Sequence, residues 1–176
     1  PSGLFVDAAM GLVERAVPGA TTAQRRTALL AAQRDLLGKG VTAAADMGTT
    51  VEDWRAMRSA YGQGALKVRI MSYASGPAGL KAIAAEGNTG WSFGDRLKLN
   101  GVKMYADGAL GSRGGWLKKP YADKPDTHGL QFLKDAELLA KADEAASHGL
   151  QVAVHAIGDA ANAQVISTYE QLSRKY

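Results

Sequence analysis

Alternation is the feature that most narrows what this chain can become. Short apolar runs at 41–46, 66–73, 99–108 and 151–159 are separated by stretches whose apolar residues recur at helical spacing. Strand, helix and strand joined by short links form right-handed βαβ units, and these build a parallel sheet. Thr21 and Gln24 stand at capping-box spacing and open a helix that runs through Leu29, Leu30, Leu36 and Leu37 to Gly38. Further helices are predicted over 51–61 and 77–85, the second leading through a Gly-rich connection with Trp91. Asp135 is expected to cap a helix carrying Leu138, Leu139, Ala142 and Ala146. A final helix presents Ala161, Val165, Tyr169 and Leu172 on one face. The stretch with Leu4, Phe5, Met10, Leu12 and Val13 reads as one more helix. Four βα units make half of an eight-stranded barrel or a small open sheet, and length does not choose between them.

The 176 residues suffice for one well-cored domain. A net charge of +4, with no Lys/Arg run and no basic stripe interleaved with aromatics, argues against nucleic acid as a partner. No apolar run approaches the ~20 residues of a membrane span, so no membrane partner is expected and a cytoplasmic location is. The absence of cysteine excludes disulfides and thiolate metal sites. The chain starts at Pro1 and stops at Tyr176 just after a helical pattern, so it is expected to be a piece of a longer protein.

Two polar residues interrupt the apolar strands. Parallel strands are covered on both faces and read as near-continuous apolar runs, yet Lys103 lies between Val102 and Met104, and His155 follows Val152-Ala153-Val154. A buried charge is costly unless something pairs with it, and strand ends are where α/β folds place their chemistry. Lys103 either snorkels to solvent or is a buried amine of lowered pKa. In the second case the neutral amine can take up carbon dioxide and bridge metals as a carbamate. His155 alone reads as a hydrogen-bonded core residue. With Lys103 on a neighbouring strand, the metal-ligand reading becomes the stronger, since zinc without thiolates takes imidazole and carboxylate.

The segment 106–130 is long for a loop in a compact domain, and such loops are often functional. It carries Asp107, Arg113 and His128. Asp107 either orients a ligand from behind or forms a turn. Arg113 either binds a substrate carboxylate or pins the loop. Asp159 reads as the N-cap of the last helix and Asp46 as a turn former at the end of its strand. His148 reads as exposed on a helix, and His128 as structural or solvated.

Gly101-Val102-Lys103-Met104-Tyr105-Ala106-Asp107-Gly108-Ala109-Leu110-Gly111-Ser112-Arg113-Gly114 and Val154-His155-Ala156-Ile157-Gly158-Asp159 resemble signatures of the YtcJ-like branch of the amidohydrolase superfamily, which includes N-substituted formamide deformylases. Residues 4–10 and 40–46 resemble its segments as well. The resemblance implies an α/β fold, a partial TIM (β/α)8 barrel with about four parallel strands, so that 1–176 would be the central part (strands two to five) of a catalytic barrel. It implies hydrolysis of amide-type C–N bonds in a small-molecule substrate by metal-activated hydroxide. The metal would be divalent, in all expectation zinc, with Lys103 and His155 as ligands and Arg113 at the substrate. No His-x-His pair occurs, and neither the later strands with their aspartate nor the added β-sandwich has a counterpart here. The fragment is therefore expected to hold metal weakly or not at all, to be inactive alone, and to self-associate through exposed barrel edges. The alternative is a non-catalytic α/β module that binds a ligand or a partner protein.

Overall fold

The alternation in the sequence is the alternation in the chain. A computed structural model describes residues 3, 5, 6, 9–87 and 89–176. In order these form α1 (Met10–Glu14), α2 (Thr22–Gly38), β1 (Ala43–Thr49), α3 (Val51–Gly62), β2 (Arg69–Ser75), α4 (Gly76–Ala85), β3 (Leu97–Tyr105), α5 (Asp135–Ser147), β4 (Gln151–His155) and α6 (Asp159–Lys175). The four strands form one parallel sheet in the order β1-β2-β3-β4. This is the α/β class expected.

The chain divides into two compact units. The first, the sheet unit, holds Ala20–Met104 with His148–Ala153. Its core is Trp54, Met57 and Ala60 of α3, Val68 and Ile70, Leu80 and Ile83 of α4, and Leu97, Leu99 and Val102 of β3. Each large apolar side chain so buried stabilises by about 1.5–3 kcal/mol relative to exposure. The middle strands are apolar because both faces are covered. At the edge, β1 alternates between exposed and half-buried until Thr49. Helix α2 forms through local signals: the Thr21–Gln24 capping box is present, yet no residue of α2 is buried. Its tethers are polar, with Gln33 accepting from the Lys67 and Val68 N–H groups and Arg25 paired to Asp53.

The second, the loop unit, holds the chain up to Gly19, Tyr105–Ser147 and Val154–Tyr176. Leu138, Ala142 and Ala145 of α5 and Ala161, Val165 and Leu172 of α6 are its buried helical residues. The small alanines let the two helices approach closely. Tyr169, expected on the same face, is 37% exposed.

Several local expectations are corrected. The 41–46 run starts two residues later and extends to Thr49, so Asp46 lies inside β1, where it accepts a hydrogen bond from the Thr49 hydroxyl. The turn-like residue there is Gly48, at φ +133°, where the β1–β2 register shifts. Both supposed aspartate caps sit one residue inside their helices. Asp135 is the first residue of α5, and Gly158 is the N-cap of α6 with Asp159 following it. There an acidic side chain meets the positive end of the helix dipole. His148 is exposed, as expected, but in the turn after α5 and not on it. The helix expected before Thr21 is present as α1, five residues long and with no buried residue; Leu4 lies outside the described residues.

Candidate functional site

In the sheet unit, Lys103 lies two residues before the end of β3, in register with Ser75 at the end of β2. Its neighbours Val102 and Met104 are buried and the lysine is half-buried. Removal from water lowers its pKa below the ordinary lysine value, because the charged form loses hydration.

A polar group that sequence reasoning missed crosses the same sheet. The Tyr73 hydroxyl donates to Gln151 Oε1 at 2.5 Å, and Asn100 Nδ2 donates to the Tyr73 oxygen at 2.6 Å and to Gln151 Oε1 at 2.9 Å. Beside it β3 approaches β4 so closely that a Cβ on Gly101 would lie 2.1 Å from the Gln151 carbonyl oxygen. Glycine at 101 is therefore required by contact.

In the loop unit the organising residue is Asp107. It is fully buried, and its carboxylate accepts three backbone N–H groups: Trp116 and Gly158 on Oδ2, both at 2.8 Å, and Ile157 on Oδ1 at 3.0 Å. One carboxylate thus joins the start of the long loop to the segment between β4 and α6. The contact is reinforced around it. The Trp116 carbonyl accepts from the Ala160 N–H at the start of α6, and Asp159 Oδ1 accepts from the Lys118 N–H at 2.8 Å. A Cβ on Gly158 would lie 1.8 Å from the Trp116 oxygen. This clamp was hidden in the sequence because its partners are main-chain groups contributed by distant residues.

His155 ends β4 with its side chain 28% exposed. Its Nε2 stands 3.6 Å from Asp107 Oδ1 and 3.4 Å from the Gly108 carbonyl, and its ring is tilted against Tyr105 with centroids 5.5 Å apart. The Asp107 distance is longer than a hydrogen bond. Asp107 therefore fixes the chain just after His155 and does not hold the ring directly.

Arg113 has φ +58° and places Nη2 2.7 Å from Asp123 Oδ2, with Nε at 3.2 Å. The loop-pinning role thus has its partner. The hydrogen bond from Arg113 holds the Asp123 carboxyl below the usual carboxylate range. Arg113 also borders a cavity of about 490 Å³ with Ser112, Lys124, Thr127, Leu130 and Phe132. His128 exchanges main-chain and ring contacts with Leu117, a structural role as expected. The 106–130 segment is therefore an ordered loop. Among the described residues no three His, Asp or Glu side chains gather to hold a metal.

The chain as a whole is similar to known proteins. The amidohydrolase family model Amidohydro_3 matches residues 1–176, and the chain belongs to that family. It is 34% identical over 97% of its length to YtcJ of Bacillus subtilis (strain 168), an amidohydrolase by name, and 32% identical over 98% to Protein LONG AFTER FAR-RED 3 of Arabidopsis thaliana. Two crystal structures of uncharacterized metal-dependent hydrolases match its fold. That from Pyrococcus horikoshii OT3 has TM-score 0.80 at 32% identity over 97% of this chain and 37% of that one; that from Pyrococcus furiosus has 0.85 at 29% over 98% and 38%. The expected fold, part of a (β/α)8 barrel, is supported at this level. The chain spans about a third of the length of the curated relatives it matches, 31% and 32%.

Proposed function

We propose that this chain is the central part, strands two to five, of the catalytic barrel of a metal-dependent hydrolase acting on amide-type C–N bonds of small molecules. The observation that carries the reading is a half-buried lysine of lowered pKa near the end of β3, followed directly by the Asp107 clamp, within a chain matched end to end by the amidohydrolase family. Lys103, as its carbamate, and His155 are the ligands this chain contributes toward a divalent metal, zinc by the chemistry of the donors. The remaining ligands come from other parts of the longer protein. When bound, such a metal supplies an activated water and polarises the scissile carbonyl.

The roles of this chain's own residues follow from their surroundings. Burial keeps a fraction of the Lys103 amine neutral and able to react with carbon dioxide. Asp107 fixes the backbone just after His155, so the imidazole is delivered in one place. Arg113, engaged by Asp123 through Nε and Nη2, retains further guanidinium N–H groups on the cavity wall for a substrate carboxylate. The 106–130 loop shapes which substrate fits. Alone, the 176-residue chain neither retains zinc nor turns over substrate.

Two measurements test this. Lys103→Ala in the longer protein abolishes metal-dependent amide hydrolysis; retention of the full rate removes the lysine from the reaction. Dialysis of the isolated chain leaves no bound zinc, and one retained equivalent contradicts the division of ligands.

A further inference from the structure

At the opposite strand ends from Lys103, the sheet unit carries a second chemically distinct feature. The backbones leading into β1, β2 and β3 run side by side: the Arg69 N–H donates to the Thr42 carbonyl at 2.9 Å, and the Ile70 N–H to the Arg96 carbonyl at 2.7 Å. Arg69 and Arg96 therefore occupy adjacent positions on neighbouring chains, roughly 4.8 Å apart in the hydrogen-bonding direction. Like charges so placed repel. Lys67 joins them around a cavity of about 300 Å³ whose other walls are Thr42, Ala43 and Gly94.

No carboxylate lines this cavity, and among the described residues none of its three cations forms an ion pair. All three are exposed. Three other arginines, Arg25, Arg55 and Arg113, each meet a carboxylate. A fourth charge stands close by. The Trp91 ring has the Arg69 guanidinium 5.3 Å from its centre and the Lys98 ammonium at 6.0 Å, so the indole holds Arg69 in place from one side. The Arg96 charge is also felt at Tyr61, where it favours the phenolate and partly opposes the effect of burial.

We infer that the Lys67, Arg69 and Arg96 side chains form a binding site for a small multivalent oxyanion, a phosphoryl-bearing or polycarboxylate molecule. Two guanidinium forks present paired donors that match oxygen pairs on such a ligand, and the ammonium adds an adaptable point charge. A cavity of this volume is at the lower end of ligand pockets, which suits a compact anion surrounded by a few waters. A monovalent ion would leave most of the positive charge uncompensated, and Ala43 is the one apolar side chain on the cavity wall, too little for a larger organic body.

The test is a titration of the whole protein with inorganic pyrophosphate and, separately, citrate at about 0.15 M ionic strength, where loose surface attraction is screened. Binding is followed by calorimetry and by Trp91 fluorescence, which responds when the anion draws Arg69 from the ring. Saturable binding of either anion supports the site, and whichever binds more tightly identifies the ligand as phosphoryl or polycarboxylate. Lys67→Gln with Arg96→Gln, both at exposed positions, weakens binding at least about tenfold with an unchanged melting temperature; the single variants show intermediate losses. Trp91→Phe removes the fluorescence response and keeps the calorimetric heat. No saturable heat with either anion up to about 10 mM, or wild-type affinity in the double variant, overturns the inference.

Discussion

Replacing Asp107 is the most direct probe of how the loop unit is built. The carboxylate is fully buried and accepts three backbone N–H groups at 2.8–3.0 Å. A hydrogen bond to a charged group contributes about 1.5–3 kcal/mol, and a buried donor left unpaired costs about 1–3 kcal/mol. Asp107→Ala strands three donors at once, so a loss of about 4–6 kcal/mol is expected, after allowing for water entering the space. A domain has about 5–15 kcal/mol in total, so that variant is close to unfolding. Asp107→Asn is the readable companion. Its oxygen can take the place of Oδ2 and keep Trp116 and Gly158, while its amide then faces the Ile157 N–H donor to donor, at a cost of about 2–3 kcal/mol. Urea titration followed by circular dichroism gives both values. Hydrogen exchange should show the Trp116, Ile157 and Gly158 amides losing protection before the helices do. An Ala variant that loses less than about 1 kcal/mol with an unchanged urea slope refutes the clamp.

Other positions give sharper directional tests. Gly158→Ala should destabilise the α6 start, since its Cβ would lie 1.8 Å from the Trp116 oxygen; an unchanged melting temperature contradicts that contact. Tyr61 is pushed up to about 12 by burial, with its hydroxyl donating to the Val68 carbonyl at 2.5 Å. Its contribution is therefore complete below the unfolded value of 10.0 and is lost as pH rises toward about 12. Stability that is as steep over this range in Tyr61→Phe as in the wild type dismisses the assignment. Lys103 works in the opposite sense: its lowered folded pKa makes the penalty full below that value, and stability recovers as pH climbs toward the ordinary lysine value. Lys103→Met should thus raise the melting temperature at neutral pH, and a decrease would show the ammonium to be well paired. Exposed β1, with Met47 45% accessible, should let the chain associate with itself; sedimentation that stays monomeric over a wide concentration range counts against it.

What the chain determined locally was legible without coordinates. The four strands, their order of alternation with helices, and the Thr21–Gln24 cap all depend on residues within one turn or one strand, and side-chain periodicity records them directly. The lysine and histidine near strand ends were legible for the same reason, because a polar residue in an apolar run stands out against its neighbours. Boundaries were less so. β1 runs past Asp46 because pairing with β2 continues to Thr49, and pairing is a property of the partner. Only tertiary structure decided that Asp107 gathers three amides, one from Trp116 and two from residues some fifty positions on, that Gly101 and Gly158 must lack a Cβ, and that Lys67, Arg69 and Arg96 surround one cavity. Main-chain donors carry no side-chain signature, and Arg96 reaches Lys67 and Arg69 only because parallel strands run side by side. Chemistry between such groups is written in the folding of the backbone, not in the spacing of letters.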